Sequence, residues 1–424
     1  MSDTPSPLAA RIRLERRRRR IKLSAVHPHV SPSTVSAVEQ GRRFPSLAVL
    51  DAITKGLGFP PGAFDLEYLA SAEEEEPALA VLPRLLARPD PPYAAVAAEL
   101  RRLLRRSCSR HPRLRDDLWL ALAEVYRRSR RWDLALRILD RVFPCACASR
   151  YVNPAGYAKA QVLRGRLHLM RGEPHLAVLA FQSVIHNAVG GESEREVALY
   201  NLGLAWWRLG SYAQAEATWE AALHQVRDPA LQAGIRLGLG NVALARGRYP
   251  DALAYFAAAR AAYRTLGDAQ GAASALNNRL YTACRAGDAA LTQELLEEGI
   301  REAWPDAAAA AAFAVTRAQV ARAGGDWETV AAALEEARPG LEPGSNRTFL
   351  AWNLLAAELA VARGRPAEAE GPVATLRGLW PELSDRALQT QVVLTLHEIL
   401  ERLPDPAGAR ACLEALRRLH PTPL

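Results

Sequence analysis

Two stretches of this chain, LYNLGLAWWRLGSYAQAEATWEAAL from Leu199 and LGLGNVALARGRYPDALAYFAAA from Leu237, align with each other. Tyr212, Ala215 and Trp219 recur as Tyr249, Ala252 and Phe256, each 37 residues later. No other feature limits the fold as strongly. A unit that short cannot bury its own apolar face, so the copies must stack into an array. Fainter copies flank the clear pair. Trp132 with Ala135 begins the series, and Gly172 with Ala177 and Phe181 follows. Downstream come Gly287, Gly325 with Trp327 and Leu334, Gly364 with Ala369, and finally Ala409 with Leu413. The glycines from Gly210 to Gly364 are spaced 37 to 40 residues apart. Each unit reads as a helix, a glycine turn and a second helix. Small residues such as Gly203, Ala215 and Ala252 let helices approach, and Tyr212 and Trp219 fill the space between them. The whole chain reads as all-α.

At 424 residues the chain exceeds one compact core. The formal net charge is +8, and residues 1–70 hold 11 Lys/Arg against 6 Asp/Glu. A basic concentration at one end suggests a polyanion partner there. The five cysteines, Cys108, Cys145, Cys147, Cys284 and Cys412, are odd in number and suggest no disulfide framework. Cys145-Ala-Cys147 lacks a second ligand pair and reads as a loop, so no metal or other cofactor is expected. His27 and His29 flank a proline and read as turn residues. The first twenty residues lack the apolar segment of a secretory signal, and no run reaches the roughly 18 apolar residues of a membrane span. A cytoplasmic location is the expectation.

Helix signals crowd the first 70 residues. Leu8, Ile12 and Leu14 form an apolar stripe in an otherwise basic helix. Ser31 is a helix N-cap with Pro32 at the first helical position. Val35 and Val38 then face a core, with Val30 just before them, and Gly41 stops the helix. Leu47, Leu50, Ile53 and Leu57 form the face of another helix that ends at Gly58. A last short helix begins after Pro60-Pro61, making five in all. Domains are expected at 1–70 for this head, 71–92 for a connector with one helix, and 93–424 for about eight helical hairpins.

The run VSPSTVSAVEQGRRFPSL, followed by LDAITKGLGFPP, resembles the XRE-type (Cro/C1) helix-turn-helix family. Upstream, Leu23-Ser24-Ala25-Val26-His27-Pro28-His29 is about a turn shorter than the family's second helix. The resemblance implies double-stranded DNA as a partner. It places Pro32, Ser33 and Ala37, with Thr34 beside them, at groove-facing positions of the recognition helix. It places Gln40, Arg42 and Arg43 against the sugar-phosphate backbone, and gives Glu39 a structural role. Hydroxyls can donate or accept, and Ala and Pro can touch a thymine methyl, but none offers a bidentate fork to a base. Phosphate contacts should therefore supply most of the affinity. Five consecutive arginines, Arg16 to Arg20, cover every direction of a helix, and Arg18 and Arg19 are candidates for phosphate contact.

The repeats resemble tetratricopeptide repeats over about residues 115–420, which implies a right-handed α-solenoid whose first helices line a concave groove. By repeat register the groove-facing residues are Lys159, Arg166, Tyr200, Asn201, Trp207, Arg208, Asn241, Asn277, Asn278, Tyr281, Gln319 and Arg322. Asparagine amides in successive repeats can pair with the backbone of an extended peptide, and Arg or Lys can take its carboxylate. An XRE-like head fused to such an array resembles the RRNPP family of peptide-responsive quorum-sensing regulators. That resemblance implies a homodimer whose groove binds a short signalling peptide and alters operator binding. No nucleophile elbow, P-loop, HExxH or kinase motif is present, and GLGNVALARG sits on repeat glycines with no preceding strand, so no enzyme is expected. Two other readings use the same residues. One keeps DNA binding but gives the repeats a protein partner. The other is a scaffold or sequestering protein whose helix-turn-helix no longer binds DNA.

Overall fold

The computed structural model describes residues 6–106, 112–143, 153–186, 191–344, 347–383, 386–403 and 405–419. Cys108, Cys145 and Cys147 lie outside the described residues. Among the described residues there are 22 α-helices and no strand, a helical head followed by helical repeats as the sequence predicts. The chain forms two compact units, one up to Leu167 and another whose main part begins at His168.

The first unit opens with α1 (Pro7–Arg18), capped by the Ser6 side chain, which accepts from the Ala9 N–H. Leu8 and Ile12 are buried, but Leu14 is 59% exposed. Two residues beyond Ile12 is more than half a helical turn away, so Leu14 leaves the buried stripe, contrary to expectation. A single 3-10 turn (Leu23–Ala25) stands where a second full helix would be. Then come α2 (Pro32–Glu39), α3 (Leu47–Gly56) and α4 (Asp65–Ser71). Ser31 and Ser46 cap α2 and α3 with their side chains, and Gly41 and Gly58 follow those helices at φ of 69° and 73°. Val35, Val38, Leu50, Ile53 and Leu57 form the core that their spacing predicts.

The same core continues through α5 (Glu75–Leu86), α6 (Tyr93–Arg106), α7 (Pro112–Arg128), α8 (Trp132–Val142) and the first part of α9 (Pro154–Met170). The sequence boundary near residue 70 follows the motif, whereas the contacts do not break until Leu167. Polar ties explain the continuity. Arg84 on α5 reaches Asp51 on α3 at 2.6 Å and Asp65 on α4 at 3.1 Å. Arg102 on α6 donates to the Ala70 and Ala72 carbonyls, both at 3.0 Å, and so closes the C-terminal end of α4. Burial pushes the Asp65 carboxyl above its ordinary pKa, against the pull of Arg84 and Arg88.

The second unit contains α10 (Pro174–His186), α11 (Glu192–Arg208), α12 (Tyr212–Leu223), α13 (Pro229–Ala245), α14 (Tyr249–Leu266), α15 (Ala269–Ala286) and α16 (Ala289–Arg301). It continues through α17 (Ala307–Ala323), α18 (Trp327–Ala337), α19 (Arg347–Ala362), α20 (Pro366–Leu379), α21 (Arg386–Arg402) and α22 (Pro406–Leu419). From α11 to α22 the helices pack in successive hairpins, α11 with α12 through α21 with α22, and alternate helices from α11 to α21 also touch one another. The periodic glycines explain the repeat length. Gly210, Gly247, Gly287, Gly325 and Gly364 all adopt φ between 67° and 75° in the turns between paired helices, a conformation that costs any residue with a Cβ. In the turn between α7 and α8, Arg130 takes that conformation at φ 58°, which is why no glycine marks this hairpin in the sequence. Asp228, Asp268, Asp288, Asp306 and Asp326 cap five helices in turn.

Between repeats, aromatic rings lie against bare glycine backbone. Trp219 on α12 is 2% exposed and donates its indole N–H to the Tyr200 carbonyl at 3.0 Å. A Cβ on Gly203 of α11 would come within 2.2 Å of that indole, and one on Gly238 of α13 within 2.6 Å. Phe256 against Gly240 and Phe313 against Gly299 repeat the arrangement. Helix propensity favours alanine over glycine by about 1 kcal/mol, whereas overpacking a filled core costs about 1–3 kcal/mol. Gly203→Ala is therefore expected to lower the thermal midpoint of the full chain despite its better propensity. An unchanged or raised midpoint would mean that Trp219 moves aside at little cost.

Candidate nucleic-acid interface and repeat groove

On the head, Ser31, Pro32 and Ser33 at the start of α2 are exposed, and Thr34 and Ala37 are half-buried. The Ser31 hydroxyl lies 2.9 Å from that of Ser33 and 2.8 Å from that of Thr34. Their rotors are thus coupled, although each oxygen keeps further hydrogen-bonding capacity. Gln40 donates to the Ser36 hydroxyl at 3.0 Å. Beyond it Arg42 and Arg43 are exposed, and among the described residues neither side chain has a hydrogen bond or ion pair.

The arginine run divides by direction. Arg16 turns inward, donating to both Glu39 oxygens at 2.5 and 2.9 Å and to the Ile21 carbonyl at 2.8 Å. Glu39 is 5% exposed, so its structural role follows from a buried bidentate pair that fixes α2 against α1. Arg19 also points back. It donates to the Leu57 carbonyl at 2.8 Å, and its guanidinium lies 3.9 Å from the Phe59 ring centre. Its expected phosphate contact would compete with these bonds. Arg18 is exposed, as are Arg17 and Arg20.

In the second unit, Asn241, Asn277, Asn278, Tyr281, Gln319 and Arg322 come together in one groove of about 530 Å³. Helices α13, α15, α17, α19 and α21 supply its walls, and Val315, Leu350, Leu354, Leu355 and Val392 give it an apolar surface. Asn278 donates to Asn241 at 3.1 Å, which links amides 37 residues apart. The Asn277 Oδ1 is buried without a hydrogen-bond partner. Arg322 pairs with Glu358 at 2.6 Å, and Arg285 donates to the Tyr281 hydroxyl at 3.2 Å.

The other six residues expected in the groove do not line this pocket. Lys159 and Arg166 belong to the first unit, where Lys159 lies 3.6 Å from Asp117. Asn201 is 8% exposed and bonds back to the Val197 carbonyl of its own helix at 2.8 Å. Tyr200 packs against Gly234, and Arg208 donates to the Leu169 carbonyl at 2.9 Å. Trp207 is half-buried, with the Arg347 guanidinium 4.6 Å from its ring centre. Trp207 thus reaches a groove-lining residue, whereas Asn201 turns onto its own helix and Tyr200 and Arg208 contact α13 and α9. The sequence reading also missed Arg347, Thr316, Glu358 and Gln391, which line the groove from repeats with only faint motifs.

Charge counting overlooked a second basic region. Residues 93–143 hold thirteen Lys/Arg, all arginine, against six Asp/Glu, and the acidic run Glu73–Glu76 just upstream hides this excess in a coarser sum. Among the described residues no group of three or more His, Cys, Asp or Glu is placed to hold a metal ion. No helix there is long and apolar enough to cross a membrane.

The helix-turn-helix domain family matches residues 7–66, and the tetratricopeptide repeat family matches residues 162–230 and 200–265. No curated protein matches the sequence. Among solved structures, the chain is similar to a tetratricopeptide repeat protein from Parabacteroides merdae at 18% identity. That likeness covers 64% of this chain and 94% of that one, with a TM-score of 0.47. It is similar to a Rap protein complexed with competence and sporulation factor at 10% identity, over 97% and 98% of the two chains, with a TM-score of 0.46. It is also similar to the apo form of the quorum sensor NprR from B. thuringiensis at 10% identity, over 72% and 97%, with a TM-score of 0.45. The chain thus carries a helix-turn-helix domain at its N-terminal end and tetratricopeptide repeats beyond it.

The Arg16–Glu39 pair generates a direct test of the head. Removing one partner of a buried pair costs about 3–5 kcal/mol because the other charge is left uncompensated. Glu39→Ala is therefore expected to destabilise the first unit by about 3 kcal/mol in chemical denaturation. A loss below about 1 kcal/mol would show that Arg16 finds solvent instead.

Proposed function

We propose that this chain is a DNA-binding transcription regulator whose repeat groove senses a short extended peptide, a design like that of the RRNPP regulators. The groove in the second unit carries the reading. Paired and unsatisfied asparagine amides stand beside an apolar wall in a space of about 530 Å³, in the size range of ligand sites. Amides suit peptide main chain, and the apolar wall suits one or two side chains. The exposed start of α2, with Arg42 and Arg43 beyond it, supports the other half of the reading. In this account α2 enters a major groove and the two arginines hold phosphates. A homodimer would engage two half-sites, a peptide favouring one repeat curvature would shift its operator affinity, and the protein would work in the cytoplasm.

One observation favours a second reading. The single 3-10 turn at Leu23–Ala25 shortens the element that would brace α2 on the duplex backbone. A scaffold or sequestering protein with a protein partner would tolerate that loss.

Two measurements separate the readings. Each phosphate contact contributes close to one unit of slope to the dependence of log affinity on log salt. Arg42→Ala with Arg43→Ala should weaken binding to any duplex and reduce that slope by about two, as read by fluorescence anisotropy. An unchanged slope removes these arginines from the interface, and no duplex binding by the parent chain would favour the scaffold. For the groove, a random heptapeptide display library is selected against the full chain. Selected peptides should bind Asn278→Ala at least tenfold more weakly than the parent. Equal binding to both would place the peptide elsewhere.

A further inference from the structure

The first unit contains a cleft that neither DNA reading nor peptide sensing uses. It lies among α6, α7 and α8 and encloses about 420 Å³. Trp119, Leu122, Tyr126, Leu134 and Ile138 give it an apolar lining, and Leu134 remains 36% exposed. Among the described residues four arginines also line it, Arg101, Arg105, Arg137 and Arg141, and no acidic side chain does. All four are exposed, and among the described residues the side chains of Arg105, Arg137 and Arg141 have no hydrogen bond or ion pair. Arg101 donates its Nε only to the Ala97 carbonyl of its own helix.

Nearby arginines behave otherwise. Arg102 pairs with Glu99 at 2.6 Å, and Arg127 and Arg128 share Glu124 at 2.6 and 2.9 Å. Glu99 and Glu124 thus pair with arginines away from the cleft, while among the described residues Arg105, Arg137 and Arg141 have no ion pair. Four exposed guanidiniums around an apolar cleft set up a field that favours an anion, and the low-dielectric wall screens that field less than open water would. Guanidiniums also match carboxylate and phosphate geometry better than any other cation in proteins. Duplex DNA fits this cleft less well than it fits an open basic face, because its phosphates lie on a rigid rod and an apolar cavity gives them nothing to contact.

We propose that this cleft binds a small amphiphilic anion, a molecule with one carboxylate or phosphate head and an apolar body. The body lies against Trp119 and Leu134, and the head is held by the arginines at the rim. Because α6 also ties the end of α4 through Arg102, the occupant contacts the unit that holds the helix-turn-helix.

The test is calorimetric titration of the full chain, without DNA or peptide, so its outcome is independent of the function proposed above. The probes are decanoate and decyl phosphate, with decan-1-ol and decylamine as controls of the same body. Both anions should bind at least tenfold more tightly than either control. The variant Arg105→Ala/Arg137→Ala/Arg141→Ala removes only exposed side chains and should retain its helical circular dichroism. It should lose at least tenfold in anion affinity while decan-1-ol binding stays unchanged. Leu134→Glu should abolish anion binding by itself. Equal affinity for alcohol and anion, full anion affinity in the triple variant, or no binding of either anion would each overturn the proposal. If the triple variant keeps its anion affinity and, in a separate titration, loses affinity for random duplex DNA, the arginines belong to a nucleic-acid surface and the cleft has no small-molecule role.

Discussion

The repeat unit depends on an aromatic ring laid against a glycine. Trp219 occupies the space that side chains on Gly203 and Gly238 would otherwise fill, and it joins α12 to helices on both sides. Phe256 on Gly240 and Phe313 on Gly299 serve the same purpose in later repeats. Dispersion between close surfaces is what an array without a central core must accumulate, and a ring on bare backbone gives the closest approach available. The glycine turns near φ 70° complete the constraint by reversing the chain after each first helix. Because the second helices carry much of this interlock, the first helices can line a groove with polar and functional side chains.

In the first unit, ionic ties fasten helices that already share one apolar core. Arg16 with Glu39 fixes α2 against α1, and Arg84 with Asp51 and Asp65 joins the head to α5. Arg102 closes the end of α4 from α6. A small helical head has little apolar area of its own, so it shares its core with the helices that follow. These ties give a physical route by which a change at α5 or α6 could alter the position of α2. They also divide the arginines of this unit into two sets. One set is spent on structure, and the other, at the edge of α2 and around the cleft of α6 to α8, keeps its charge for a partner.

Much of this was legible in the sequence, for reasons tied to particular residues. The 37-residue recurrence of Tyr212, Ala215 and Trp219 reports a period that tertiary packing enforces on every copy, so the repeats are readable without coordinates. Ser31-Pro32 and Gly41 mark the limits of α2 because caps are local chemistry. Six of the twelve residues assigned to the groove meet there, and all six lie from Asn241 onward. The six outside that pocket come from Lys159 to Arg208. Four of them, Tyr200, Asn201, Trp207 and Arg208, sit in a clear repeat copy, so a legible motif does not fix where each side chain turns: Asn201 bonds its own backbone and Trp207 meets Arg347.

The sequence by itself determined the order of parts: a capped, basic helical head, then hairpins whose length is set by glycines that must adopt a left-handed backbone. Those properties depend on residue type and short spacing, which survive without knowledge of neighbours. Only the tertiary structure decided which charges are available. Arg16, Arg19, Arg42 and Arg43 look alike in a composition. Contacts many residues away bind the first two to Glu39 and to the Leu57 carbonyl, while the side chains of the other two stay in solvent. The cleft among α6, α7 and α8 is likewise invisible in the sequence, because a cavity exists only once separate helices have been brought together.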